Sequence, residues 1–380
     1  MARSLSRRKN IFSVACFSAV AMFAAVTMFS GCGKTDPTGK EPKGDDPPVG
    51  GTSFLSMGTA PIGGTFPIVG DAIAQTLNTH KGDNNWKVQA KGTKGSQANI
   101  RGLQKGELQL ALSNSAISYF AFRGESSWDQ KYDIRAVVTM APNVAMFVTK
   151  ADSGIKSIAD LKGKRVVIGP AGAGFEMFVG PILEEHGVSM EDIDKVNAPQ
   201  GPAVDMLSDG SADAAFLGGA VPAAAISQAC ASFETIFVPF DSDVRQRLIE
   251  KYPFFHAFTI PGNTYQGHEE PFEGLNVGSM HVITSASADE ELIYQLTKTT
   301  WESRADIAAR HGAGKAINEK NAARYTGTDF HPGAIRFYKE AGIWPESEGA
   351  NDAATGEAAS VETEASKEAA PEEKPAKSEE

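Results

Sequence analysis

MGTAPIGGTFPIVGDAIAQTL, Met57–Leu77, decides how the chain is read. Its first half is a turn of glycine and small residues: Gly58, Thr59, Gly63, Gly64 and Thr65. In its second half Ile68, Val69, Ala72, Ile73, Ala74 and Leu77 recur at mostly helical spacing. The run SFLSM in front reads as a strand. Strand, glycine turn and helix in that order form a loop that can hold an anion on backbone N–H groups. The alternative is a tight strand-to-helix connection with no ligand. A P-loop needs a lysine after its last glycine, and here Thr65, Phe66 and Pro67 follow. No window across the turn supplies the glycine spacing of a dinucleotide fingerprint, and no acidic residue is placed for a ribose. A small carboxylate fits better. Gly64 is expected where the backbone approaches that ligand, in a conformation only glycine adopts.

The ends of the chain narrow the choice further. Arg3, Arg7, Arg8 and Lys9 precede the apolar stretch IFSVACFSAVAMFAAVTMFS, which reads as an export leader over residues 1–31. A retained membrane anchor is the alternative. Phe29-Ser30-Gly31-Cys32 resembles a bacterial lipobox, with Phe29 in place of the usual leucine, so Cys32 is expected to carry lipid. Gly33 gives no cue for retention at the inner membrane. Residues 32–52, rich in Pro, Gly, Lys and Asp, read as a flexible tether. Residues 346–380 hold eleven acidic side chains against three lysines, with one valine and no aromatic, and are expected to be disordered. That tail carries −8 of the net −11 and the leader +4, leaving −7 for residues 32–345. With no basic block, nucleic-acid binding is not expected.

Of three cysteines, Cys16 leaves with the leader and Cys32 is lipidated, so no internal disulfide is expected. Cys230 reads as a small buried residue. About 290 residues remain, and two domains are the default. Short apolar runs (WKVQAKG, LQLALSNS, IRAVVTMAP, AMFVTK, RVVIGP, AAFLGG, TIFVPF, MHVITS) alternate with helical segments. The pattern predicts an α/β fold with largely parallel sheets. DEELIYQLTKTTWESRADIAARH reads as one long helix, and HPGAIRFYKEAG as a helix opened by His331-Pro332. RVVIGP, the turn Ala171–Gly174 and the helix from Phe175 repeat the opening theme, with Glu176 in the first turn. Two such turns could present two helix N-termini to one ligand. The alternative is two ordinary connections that never face each other.

Taken together in order, these segments resemble the TAXI family of extracytoplasmic solute-binding proteins, which serve TRAP-type transporters. The resemblance runs from about Ser53 to Trp344. It rests on the opening glycine motif, SQANIRGLQKGELQLALSNS, DSGIKSIADLKGKRVVIGPAGAGFE, SDGSADAAFLGGAVPAAAI and HPGAIRFYKEAG. It implies a two-lobed, periplasmic-binding-protein-like (type II) α/β fold. Lobe I would be residues 53–140 plus 274–345, and lobe II residues 141–273. A small organic acid would be captured in the cleft by hinge closure and delivered to a membrane permease driven by an ion gradient. Its ligand would be held by Gly58, Thr59, Gly63, Gly64, Thr65 and Phe66 of the first loop and by Asn114 and Ser115. Asn143, the turn Gly172, Gly174, Phe175 and Glu176, and Gly218 with Gly219 would complete the site. Glutamate-like ligands are prominent in the family. Here Ala60-Pro61-Ile62, Ala116, Phe175 and Gly218 stand where the family favours glycine, hydroxyls and an acid. A mono-acid with an apolar portion is therefore as plausible as glutamate.

The resemblance further implies a periplasmic monomer held to the bilayer through Cys32, without cofactor, metal or catalysis. A sensing lipoprotein with a signalling partner is the alternative, and a secreted α/β enzyme a more distant one. No G-x-S-x-G elbow occurs, and His80, His186, His256, His268, His281, His311 and His331 lack metal-ligand spacing. If Cys32 carries the anchor, Cys32→Ser should release the protein from the membrane fraction or stall leader processing. Unchanged fractionation, with the leader cleaved elsewhere, contradicts the lipoprotein reading.

Overall fold

Two sheets, each flanked by helices, are built from the alternating apolar runs and amphipathic segments. The computed structural model describes residues 52–62 and 64–345. The leader, Cys32, all of the tether except Thr52, Gly63 and the acidic tail lie outside the described residues. The chain begins with β1 (Ser53–Gly58), α1 (Thr65–Thr79), β2 (Trp86–Lys91), α2 (Ser96–Gln104), β3 (Leu110–Asn114), α3 (Ser115–Arg123) and β4 (Ile134–Thr139). It continues with β5 (Val144–Lys150), β6 (Arg165–Val167), α4 (Glu176–Glu185), β7 (Asp194–Val196), α5 (Gln200–Asp209) and β8 (Ala214–Gly219). Next come α6 (Ala224–Ser232), β9 (Thr235–Phe237), α7 (Ser242–Lys251), β10 (Phe255–Ile260) and β11 (Phe272–Val277). β12 (Met280–Ser285), α8 (Glu290–Glu302), α9 (Arg304–Arg310) and α10 (Pro332–Glu340) complete it.

The first sheet has the order β2-β1-β3-β12-β4, and the second the order β10-β11-β5-β8-β6-β7, with β9 paired to β5. The expectation of largely parallel sheets is corrected. β1 is parallel to β2 and β3, and β6 to β7 and β8, but β12, β5, β10 and β11 pair antiparallel with their neighbours. The reason is the path of the chain. It leaves the first sheet through Met140–Asn143 and returns through Gly278–Ser279, so β4 and β11 end at the crossings where β5 and β12 begin, and the pairs β4–β12 and β5–β11 run antiparallel. The return expected at residue 274 falls inside β11, which pairs in the second sheet. The hairpin β10–β11 has no counterpart in the sequence reading. The single long helix expected near the end is two, α8 and α9, broken at Ser303.

Val69, Ile73 and Leu77 lie on one stripe of α1 and are buried against Leu55, Met57, Leu112, Val282 and Tyr338. The opposite face of the first sheet is covered by Ile100 and Leu103 of α2 and Ile117 of α3. That core is continuous with Phe147, Phe178 and Phe216 of the second lobe. Thus α3, lobe I by chain order, is shared. Tyr119 stacks edge-on against Phe254 at 5.1 Å between centroids, and Phe120 against the same ring at 5.6 Å. Each such pair adds about 0.5–1.5 kcal/mol beyond its buried area.

Two histidines lie in or against these cores, His281 fully buried and His256 half-buried. His281 of β12 is fully buried; its Nε2 lies 2.8 Å from Ser118 Oγ and its Nδ1 has no partner. Burial holds it at about 3. His256 of β10 is held at about 4, by burial first and the charge of Arg324 second. Both folded values lie below the unfolded value near 6.5, so the unfolded chain takes up protons first. Stability is complete above pH ~6.5 and is lost as pH falls towards 4. Between pH 7 and pH 5 the unfolding free energy should drop by about 2 kcal/mol per histidine. Urea unfolding at the two pH values checks this, and a flat profile contradicts it.

Candidate ligand-binding cleft

Five helices begin at the space between the two sheets. Gly64 is the N-cap of α1, Gly95 of α2, Asn114 of α3, Phe175 of α4 and Pro199 of α5, and all five line the same cleft. Only in α3, among these, does a side chain cap the helix. The other four have no side-chain cap and turn the positive end of the helix dipole towards the cleft, although Gln97 N–H of α2 already donates to Ala173 O, and Met177 and Phe178 N–H of α4 donate to Gly174 O and Phe175 O. In α1 the third position is Pro67, which has no N–H, and the N–H groups of Thr65 and Phe66 have no partner among the described residues.

The cleft encloses a cavity of about 90 Å³ inside a mouth of roughly 750 Å³ that includes open solvent. Among the described residues its lining contains no Asp or Glu and one ammonium, Lys94. Phe66, Phe175 and Phe178, with Ile117, Met280 and four prolines, form its apolar walls. Gln200 Oε1 accepts the Gly218 N–H at 2.9 Å, which leaves its NH2 group unbonded among the described residues. The carboxamide of Asn143 is likewise unbonded, although its backbone N–H reaches Asn276 Oδ1 at 3.1 Å. The lobes touch across the cleft. Gln97 N–H donates to Ala173 O at 3.3 Å, and Trp128 Nε1 to Met177 Sδ at 3.1 Å. A Cβ on Gly95 would meet Ala173 Cβ at 3.1 Å, and one on Gly174 would meet Ile117 at 3.1 Å.

Gly64, Thr65, Phe66, Asn114, Asn143, Phe175, Gly218 and Gly219 are thus brought together at the cleft. Others named from the sequence are not in the lining. Gly58 gives way to the Asn99 side chain, which a Cβ would meet at 2.5 Å. Asn99 Nδ2 donates to Thr59 O at 2.7 Å and Leu112 O at 2.8 Å, pinning the ends of β1 and β3. Thr59 is buried with its hydroxyl on Lys91 O. Ser115 is buried in the first turn of α3, its N–H on Ser279 O. Gly172 (φ +75°) and Gly174 (φ +91°) need glycine for the backbone of the turn. Glu176 faces Lys195 at 3.9 Å. Gly63 lies outside the described residues. Gly64 itself has φ −100° and ψ 174°, an extended conformation open to any residue, which corrects the expectation of a glycine-only backbone.

Asn114 lines the cleft, but its polar atoms are committed elsewhere. Oδ1 accepts the Ala116 N–H at 2.8 Å, and Nδ2 donates to Gly278 O at 2.9 Å and Val277 O at 3.2 Å. It starts α3 and holds the return crossing. The sequence reading missed Lys94, Ser96 and Gln200. The glycine before α2 was the available signal, since Lys94-Gly95-Ser96 repeats the loop-to-helix theme of the opening motif. Dispersed Ser and His do meet, as Ser118 and His281. Both are fully enclosed and outside the cleft lining, and His281 is held far too acidic to act as a base at neutral pH. Burial pushes the Cys230 thiol up, and its Sγ lies 3.3 Å from Thr235 Oγ1. No group of three or more potential metal ligands occurs among the described residues.

Residues 57–342 match the NMT1-like family. The chain is also similar to the periplasmic aliphatic sulphonate binding protein SsuA from Escherichia coli, at 16% identity over 70% of this chain and 77% of that one, TM-score 0.41. A binding protein component of an ABC phosphonate transporter from Pseudomonas aeruginosa aligns at 10% identity over 68% and 79%, TM-score 0.46. GshT, linked to glutathione import in Streptococcus mutans, aligns at 14% identity over 74% and 98%, TM-score 0.44.

Asn114→Ala should lower the stability of the unliganded protein by about 1–3 kcal/mol, through loss of the cap and of two bonds to the crossing. Urea unfolding without ligand measures it. Unchanged stability combined with lost ligand affinity would instead make the carboxamide a ligand donor.

Proposed function

This chain belongs to the NMT1-like family, and we propose that it is a periplasmic solute-binding protein that captures a small organic anion and delivers it to a membrane transporter. The observation that carries the reading is the cleft itself. Four helix starts without a side-chain cap converge on it, no carboxylate lines it among the described residues, and three phenylalanines, Ile117, Met280 and four prolines form much of its wall. A negatively charged head relieves unsatisfied N–H groups and positive dipole ends there, with bonds that are short and strong. Phe66, Phe175 and Phe178 then suit an acid with an apolar body rather than a second charged group. The two crossings supply the hinge on which the lobes close over it.

The order of motifs along the chain favours a TRAP-type secondary transporter as the recipient. The basic leader and Cys32 favour export and a lipid tether in the cell envelope. Nothing in the cleft calls for a cofactor. Ion-gradient-driven uptake, insensitive to loss of ATP, is the behaviour this recipient requires.

Gly64→Val is a clean probe of the site. An added Cβ has Pro61 O as its nearest neighbour, at 4.0 Å, and the backbone tolerates it. The variant should melt as wild type yet bind at least about tenfold more weakly, because the side chain stands where the backbone meets the anion; one charge-assisted bond is worth roughly 1.5–3 kcal/mol. Calorimetry against a panel of mono- and dicarboxylates tests it. A folded variant with wild-type affinity removes the α1 loop from the site.

A further inference from the structure

We propose that Lys94 is the specificity-determining cation of the cleft, holding the acidic group of the ligand together with the Ser96 hydroxyl. This rests on the anion-binding reading above and adds to it a named residue and a ligand class. Lys94 carries the single charged side chain of the lining, and no carboxylate lies within 4.0 Å of its ammonium among the described residues. It stands in front of Gly95, whose φ of +112° turns the chain into α2, so the ammonium and the uncapped start of α2 share one side of the cleft.

Ser96 provides an independent observation. It is 4% exposed and lines the cleft. Its Oγ accepts the Asn114 N–H at 3.0 Å, but its own proton has no acceptor among the described residues. A buried hydroxyl proton needs an acceptor. An anionic oxygen beside Lys94 supplies it, whereas a donor group in that place would leave both unsatisfied.

Lys94 also reaches the other lobe. A Cβ built on Gly172 would lie 3.9 Å from Lys94 Cδ, so the stem of this lobe I residue passes over the glycine turn of lobe II. An anion held by the ammonium sits where the lobes meet and favours their closure. With one full positive charge and three phenylalanine rings, the ligand class is a monoanionic acid on an aryl or branched-alkyl body.

The test is calorimetry on the full chain with phenylacetate, benzoate, 4-methylpentanoate and benzenesulfonate, each carboxylate paired with its amide, at low and moderate salt. Wild type should prefer acid to amide. Lys94→Gln should weaken the tightest acid at least tenfold, leave the amide unchanged and flatten the salt dependence. Lys94→Arg should stay within about threefold. Neither should shift the melting temperature of the unliganded protein, since the side chain is exposed and without an ion pair. Equal binding of an acid by wild type and Lys94→Gln overturns the role of Lys94 and leaves the cleft standing. If wild type binds none of the acids but binds an amide, the anion reading itself falls, and this proposal with it.

Discussion

The carboxamide of Asn276 ties together the two crossings on which everything else depends. Its Oδ1 accepts the Asn143 N–H at 3.1 Å and the Gly278 N–H at 3.2 Å, and its Nδ2 donates to Ser279 Oγ at 3.0 Å. Asn114 holds the same return crossing from the cleft side, and Arg324 Nη2 holds Ser279 from behind at 2.7 Å. Asn321 donates to Met140 O at 2.9 Å and accepts from Arg324 Nε at 2.9 Å. Buried polar groups persist where every bond is made. Here they fix the path of two short segments that could otherwise take many.

From that geometry the electrostatics of the cleft follow. β1, β2, β3, β6 and β7 are each followed by a helix that begins at the cleft. Leaving four of those helix starts uncapped costs the empty protein stability, about 1 kcal/mol for each missing cap. The N–H groups of Thr65 and Phe66, without a partner among the described residues, are then free for a ligand. Close packing at Gly95, Gly174 and Ile117 shows how near the lobe surfaces come, and why so small a cavity lies between them. On the proposed function, helix N-termini beside apolar walls make affinity depend on charge and selectivity depend on shape.

Much of the fold was legible because its signals are local. Val69, Ile73 and Leu77 mark α1 by spacing alone, and His331-Pro332 starts α10 as the turn chemistry implies, with His331 Nδ1 accepting the Gly333 N–H. The hairpin β10–β11 was not legible. FHAFTI and FEGLNV mix burial along their length, and both are stabilised by pairing with each other and with β5 rather than by their own pattern. Nor was the break at Ser303, where Arg304 donates to Trp301 O at 2.8 Å and covers its ring. In the site, glycines were readable as backbone positions, but not which ones face the ligand. Gly58 and Gly174 serve packing against Asn99 and Ile117, partners 41 and 57 residues away in the chain. Lys94 was overlooked because an exposed lysine in a polar loop carries no periodic signal.

The central claim is that the cleft between the lobes captures an organic anion with an apolar body. Mass spectrometry of small molecules released by denaturing the protein purified from its native envelope measures this most directly. The account predicts a low-mass acid, present near one equivalent in the wild-type protein and depleted in Gly64→Val. A neutral or cationic molecule at one equivalent, retained equally by both proteins, would contradict it.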